Sequence, residues 1–260
     1  MSVKQLFDLT GKVALVTGGS RGLGLQMAEA LGGMGARVAI TARKAEGLQE
    51  AQARLNAKGI ETLTIANDLS RLDQIPALVD AVLAQYGSID ILVNNAGTNW
   101  FAPAASYPDE AWRKLMTLNI DAVFFLSREV GRRCMIPRQS GKIINIASVA
   151  GLSGTPQGQG IEIIGYSASK GAVVNFPRAL AAEWGRHNIN VNAICPGIFP
   201  SKMTHNLLRR IGDQIIAATP LGRLGGNQDL MGAAVFLASE ASRHITGQYI
   251  TVDGGAGVAK

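Results

Sequence analysis

The sequence predicts an α/β protein built on a doubly wound parallel sheet of about seven strands, with helices on both faces. Three observations predict it. Short apolar runs enriched in β-branched residues alternate with longer amphipathic stretches from Val13 to Val252. The strand runs are continuously apolar, as expected where both faces of a sheet are covered. The 31 glycines are scattered between the periodic segments, where tight turns belong. The 260 residues suffice for one such domain, and no linker or low-complexity segment divides them.

Taken in order, Val13–Thr17 opens the sheet and leads through a glycine-rich turn into a helix near Leu23–Met34. The strands Arg37–Thr41 and Thr62–Ala66 are followed by helices near Glu46–Lys58 and Leu72–Tyr86. Ile89–Asn94 precedes a long helix near Asp109–Met135, and Lys142–Ala147 precedes one near Tyr166–Arg186. Pro177 lies inside that last helix and is expected to kink it, because it lacks the N–H that the ladder needs. Asn190–Ala193, a helix near Gln228–Ala238 and Tyr249–Val252 complete the alternation, joined by right-handed crossovers. Thr98–Asp109 and Phe199–Arg223 read as the longest irregular segments. Both follow strand ends, so they are expected to border the crevice outside the carboxyl ends of the strands.

Composition narrows the class. Cys134 and Cys195 are far apart, which points to free thiols in a reducing compartment. His187, His205 and His244 stand in unrelated contexts, so no metal site is expected. MSVKQLFDLTGK lacks the apolar core of a signal peptide, and no run is long enough to span a membrane. A cytoplasmic protein is expected. The net charge of +6 is spread along the chain instead of forming a groove, which argues against a nucleic-acid partner.

The turn in VALVTGGSRGLGLQMAEAL places Gly18, Gly22 and Gly24 where the backbone can approach a ligand closely. The helix that follows aims free N–H groups and a positive dipole end at that ligand, which favours a phosphate. The second strand, RVAITARK, ends without the carboxylate that would hold a ribose 2′-OH. It carries Arg43 and Lys44 instead, with Arg21 in the loop, and these cations favour NADP(H). Asp68, in NDLS, either accepts from an adenine amino group or caps the next helix.

YSASKGAVV sets Tyr166 and Lys170 on one helix face, four positions apart in an apolar stretch. At an effective dielectric near 20, an ammonium about 4–5 Å from the phenolic oxygen would favour the phenolate by about 3–4 kcal/mol. A phenol so tuned exchanges a proton with a carbonyl or alcohol oxygen near neutral pH. Ser148 ends a buried strand and could orient a substrate oxygen, while the Asn119 amide could hold a water linked to Lys170. Taken alone, Ser148 reads better as a turn residue and Asn119 as a satisfied core amide. Together with the glycine loop they read as a site.

On these residues the chain resembles a short-chain dehydrogenase/reductase of the NADP-dependent type. The likeness runs nearly end to end, through TGGSRGLG at 17–24, NNAG at 94–97, Asn119, Ser148, YSASK at 166–170, PG at 196–197 and ITGQYITVDGG at 245–255. The resemblance implies a Rossmann-type fold with a cofactor half to about residue 140 and a catalytic half beyond it. It implies that Tyr166 donates or accepts the proton, Lys170 lowers its pKa and holds the nicotinamide ribose, and Ser148 positions the substrate oxygen. Asn119 would hold the relay water. Cofactor contacts are expected from Gly18, Ser20, Arg21, Gly22, Leu23, Gly24, Arg43, Asp68, Leu69, Asn95, Ala96, Gly97, Tyr166, Lys170, Pro196, Gly197, Phe199 and Ser201. Phe199 and Ser201 stand where family members usually carry a Thr.

Eighteen positions separate Ser148 from Tyr166, about five more than the family commonly shows, so a longer loop is expected beside the substrate pocket. The pocket wall is expected from Thr98–Phe101, Leu152–Ile164 and Phe199–Leu208, mixing Trp100, Phe101, Ile161 and Ile163 with Gln157, Gln159 and Glu162. The apolar part suits a carbonyl or 3-oxoacyl thioester reductase. The polar part, with PGIFPSKMT, suits a gluconate 5-dehydrogenase-like member. A non-catalytic NADP-binding regulator is the remaining alternative, disfavoured because Ser148, Tyr166 and Lys170 are all present. The family also implies a homotetramer, paired through the long helices after Asn119 and Tyr166 and through the final strand.

Overall fold

In β1 (Val13–Thr17) every residue is buried, and the period-two alternation of a strand sends its side chains into two different cores. Ala14 and Val16 join one cluster, and Val13 and Leu15 join the other. β2 (Arg37–Ala42) divides in the same way, with Val38 and Ile40 on one side and Ala39 on the other. Burying a Val, Leu or Ile side chain contributes about 1.5–3 kcal/mol, so a strand apolar on both faces is stable only between two helical layers. The computed structural model describes residues 2–154 and 161–259 and has this sandwiched arrangement.

The remaining strands are β3 (Thr62–Ala66), β4 (Ile91–Asn94), β5 (Gly141–Ile146), β6 (Ile189–Pro196) and β7 (Tyr249–Val252). They form one parallel sheet in the order β3-β2-β1-β4-β5-β6-β7. All seven predicted strands are present, with β4 two residues shorter at its start and β6 extended to Pro196. The order reverses between β1 and β4, paired through Leu15↔Leu92, so the crevice opens above the carboxyl ends of those two strands.

The helices are α1 (Val3–Leu6), α2 (Gly22–Gly33), α3 (Ala45–Asn56), α4 (Ile75–Tyr86), α5 (Asp109–Met116), α6 (Ala122–Val130), α7 (Ile136–Arg138), α8 (Ile164–Trp184), α9 (His205–Ala218) and α10 (Met231–Ala238). Helices α2, α3 and α10 cover one face of the sheet, and α4, α6 and α8 cover the other.

Two elements depart from expectation. The long helix predicted near Asp109–Met135 is interrupted by π-turns at Thr117–Asp121 and Gly131–Met135. The segment Phe199–Arg223, expected to be irregular, contains the 14-residue helix α9. Its apolar positions Leu208, Ile211, Ile215 and Ala218 recur at helical spacing. Helix α8 continues for 21 residues through Pro177. Pro177 is buried there, so packing offsets the lost hydrogen bond.

Candidate active site

The carboxyl end of β5 delivers Ser148 to the crevice as the N-cap of a short 3₁₀ turn, Val149–Gly151, with its Oγ accepting from Ala150 N at 3.1 Å. Gly151 lets this turn lie directly on α8. A Cβ there would sit 2.5 Å from the backbone carbon of Lys170. The close approach brings Lys170 Nζ to within 2.7 Å of the Ile146 carbonyl, which accepts its hydrogen bond. The same ammonium lies 5.8 Å from the centroid of the Tyr166 ring, and the Ser148 hydroxyl stands near enough to the Tyr166 phenol to lower its pKa. The long connection from Ser148 to Tyr166 therefore leaves the two side chains together; its residues 155–160, with Gln157 and Gln159, lie outside those described.

Burial dominates the electrostatics of the pair. It raises the Tyr166 pKa above 10.0, and the nearby Ser148 hydroxyl offsets this only in part. Burial also lowers Lys170 from 10.5 to about 8, with the neighbouring Cys195 pulling the other way. The phenol lies above its ordinary value, against the expectation from the ammonium alone, because desolvation of the phenolate is the larger effect. A phenol that keeps its proton is suited to donate it, and at neutral pH Lys170 still carries charge to stabilise the phenolate once the proton has gone.

This shift has a signed consequence for stability. Below about pH 8 the folded chain bears the cost of a buried ammonium. Between about 8 and 10.5 the folded state releases that proton while the unfolded chain keeps it, so this group makes stability rise with pH. Lys142, lowered by burial too, adds to the rise, while the raised thiols Cys134 and Cys195 oppose it. The difference between parent and Lys170→Met isolates the one group. Urea midpoints of the variant are expected to gain most over the parent near pH 7, and the gain should shrink toward pH 10.5. An unchanging gap would contradict the assignment.

Asn119 sits in the first π-turn and is almost fully buried. Its Oδ1 accepts from Thr98 N at 2.9 Å, and its Nδ2 donates to Thr98 O at 2.9 Å and to Ser169 Oγ at 3.0 Å. Both amide N–H groups are thus committed to protein partners. The side chain clamps the loop after β4 to α8. Sequence reasoning missed Ser169 and Thr98, although Ser169 lies inside the quoted YSASK.

The glycine loop fits a phosphate by its own geometry. Gly18 has φ +64° and its added Cβ would meet Asn95 Nδ2 at 2.9 Å, while a Cβ on Gly24 would lie 2.4 Å from the Gly18 carbonyl oxygen. Those two glycines let α2 close onto the loop. Gly22, at φ +55°, has open space where a Cβ would go. Arg21 occupies the N-cap of α2 without a side-chain cap, which leaves the first-turn N–H groups available to an anion. Thr17 Oγ1 accepts from Asn95 N and Ala96 N, both at 2.9 Å, and Asn95 Nδ2 donates to Thr17 O at 2.8 Å. Asn95 therefore braces the loop, a role its place in NNAG did not disclose.

Other predicted contacts divide. Arg21 and Arg43 are exposed at the crevice edge, Ser20 is half-buried beside Gly47, and Arg43 lies near enough to Asp68 to favour its carboxylate. Asp68 Oδ1 accepts from Ser70 N at 3.0 Å and Ser70 Oγ at 2.7 Å, the turn-capping role weighed above. The side chain of Leu69 is buried in the core, Leu23 packs partly against the other core, and Gly97 approaches both Asn119 and Lys170. Pro196 ends β6, and Gly197 N donates to Val252 O at 3.0 Å.

Phe199 and Ser201 follow Gly197 beyond β6. Phe199 is buried in the core, with its ring against Gly225. Ser201 Oγ is 3.0 Å from Thr204 Oγ1 and accepts from Thr204 N at 3.2 Å, which closes the turn into α9. Next to Val149, a cavity of about 960 Å³ lies between α9 and the ends of β6 and β7. Its wall includes Val149, Gly197, Phe199, Ile211, Ile215 and Leu224. No cluster of metal-ligating side chains is found, and no helix is long and apolar enough to cross a membrane, among the described residues.

A helix end shaped to suit a phosphate at the strand-order reversal, with half-buried Tyr166 and buried Lys170 on α8, fits an oxidoreductase. The match to the short chain dehydrogenase family covers residues 12–211, and the chain belongs to that family. It is 42% identical over 261 residues to a gluconate 5-dehydrogenase of Gluconobacter oxydans, covering 100% of both chains. It is 40% identical to a 3-oxoacyl-[acyl-carrier-protein] reductase of rhamnolipid biosynthesis in Pseudomonas aeruginosa, covering 96% of this chain and 97% of the relative. Among solved structures, a Burkholderia cenocepacia gluconate 5-dehydrogenase in complex with NADP and tartrate superimposes with a TM-score of 0.93. That pair is 37% identical, with both chains covered completely.

Proposed function

We propose that this protein interconverts a ketone and a secondary alcohol with NADP(H), and that its substrate is a small polyhydroxy carboxylic acid of the 5-ketogluconate kind. The meeting of Ser148, Tyr166 and Lys170 at one point carries the reaction class. Full-length similarity to gluconate 5-dehydrogenase supports the substrate class. When bound, NADPH supplies the hydride that the carbonyl carbon receives. Ser148 donates a hydrogen bond to the carbonyl oxygen, Tyr166 transfers its phenolic proton to that oxygen, and Lys170 stabilises the phenolate left behind. The first turn of α2 with Gly22 holds the pyrophosphate, and Arg21 and Arg43 meet the 2′-phosphate.

A 3-oxoacyl thioester is the second reading. The apolar cavity beside Val149 and the exposed rings of Trp100 and Phe101 favour it, the latter tied to the 161–164 segment through Ala102 N donating to Glu162 O at 3.1 Å. A panel read by NADPH absorbance separates the two. 5-Ketogluconate is expected to give the highest kcat/KM, ahead of acetoacetyl thioesters and aryl ketones; a thioester at the head of the panel would overturn the sugar-acid assignment. The chain is further proposed to work in the cytoplasm as a homotetramer, a pairing supported by the exposed rings of Phe124 on α6 and Tyr249 on β7.

A further inference from the structure

α8 begins without a side-chain cap. Ile163 occupies the N-cap position with no capping hydrogen bond, so the turn that carries Tyr166 is held by lateral contacts. One of these is polar and fully buried. Ser169, with no exposed surface, donates from Oγ to the Tyr166 carbonyl at 2.8 Å and accepts from Asn119 Nδ2 at 3.0 Å. Asn119 is itself fixed by two hydrogen bonds to the Thr98 backbone, one residue past Gly97. The hydroxyl therefore joins the backbone of the catalytic tyrosine, through a single amide, to the loop leaving β4. Lys170 follows Ser169 directly and lies against Gly97 from the same side, since a Cβ on Gly97 would be 3.6 Å from its Nζ.

We propose that Ser169 is a positioning residue for proton transfer: by linking the Tyr166 carbonyl to the Asn119–Thr98 clamp, it fixes where the phenol and the Lys170 ammonium stand relative to the carboxyl ends of the sheet. The proposal rests on the assignment of Tyr166 as the proton donor. Removing the hydroxyl leaves a buried Asn119 N–H without a partner and frees the first turns of α8 to shift. A shift well under 1 Å changes donor geometry at the reacting oxygen while leaving the pyrophosphate loop, on a different strand, in place.

The test compares Ser169→Ala, Ser169→Thr and Tyr166→Phe with the parent by steady-state kinetics from pH 6 to 10 on a ketone that the parent reduces. Misplacement of a catalytic group by a fraction of an ångström predicts a kcat about tenfold lower for Ser169→Ala, with both KM values within about twofold. The pH limb of kcat should move by about half a unit or more, because the phenol and ammonium no longer keep their spacing. Ser169→Thr keeps the hydroxyl and is expected to recover most of the rate. If Ser169→Ala does not fold, Ser169→Cys replaces it, keeping the volume while weakening both hydrogen bonds. A variant that matches the parent in kcat and pH profile, whatever its melting temperature, overturns the proposal. Tyr166→Phe separates the two levels: if it is inactive while Ser169→Ala is unaffected, the positioning role alone fails, and if it keeps the parent's rate, the tyrosine assignment fails with it.

Discussion

Tyr166→Phe is expected to lower kcat for ketone reduction about 10³-fold while leaving NADPH affinity within about twofold, because a positioned general acid contributes 10²–10⁴ to a rate. The substitution keeps the ring and its packing above Lys170 and removes only the hydroxyl that Ser148 contacts. Loss confined to kcat identifies an interaction made in the transition state, whereas a raised KM would mark simple binding. The pH dependence follows from the two shifts. The phenol, raised by burial, stays protonated through neutral pH, while Lys170 loses its charge as pH rises through about 8. Reduction is therefore expected to be fastest below about 8 and to fall above it, as the charge that stabilises the phenolate disappears.

Arg43→Asp is expected to weaken NADPH binding about 10²-fold at low salt and to change NADH binding by less than threefold, since a fixed carboxylate repels the 2′-phosphate that the guanidinium attracts. Arg43 is exposed and makes no ion pair within 4 Å among the described residues, so its removal costs the fold little. Asp68 stands near it, and a second carboxylate would deepen the negative field over the same spot. Paired titrations of the two cofactors by fluorescence quenching check this; equal weakening of both would retire the 2′-phosphate assignment.

Much of the fold was legible because its strongest signals are local. A parallel strand buried on both faces must be apolar throughout, and Val13–Thr17 and Arg37–Thr41 could be placed on that ground alone. Gly18 and Gly24 were legible because a tight loop before a helix leaves no room for side chains there, and Gly22 because its φ of +55° favours glycine. Helix α9 lies inside a segment expected to be irregular, although Leu208, Ile211, Ile215 and Ala218 keep helical spacing. The illegible part is what tertiary neighbours decide. Nothing in YSASK shows that Ser169 bonds Asn119, and nothing in NNAG shows that Asn95 spends its amide on Thr17 and Gly18. The sign of the Tyr166 shift was missed for the same reason, because helical spacing brings Lys170 near but burial from the whole fold sets the larger effect.

Transfer of label from NADPH deuterated at nicotinamide C4 to 5-ketogluconate tests the central claim most directly. The account predicts one deuterium on the new carbinol carbon of the product formed by the parent and no labelled product from Tyr166→Phe in the same time. An unlabelled alcohol, or equal labelling by the phenylalanine variant, would contradict it.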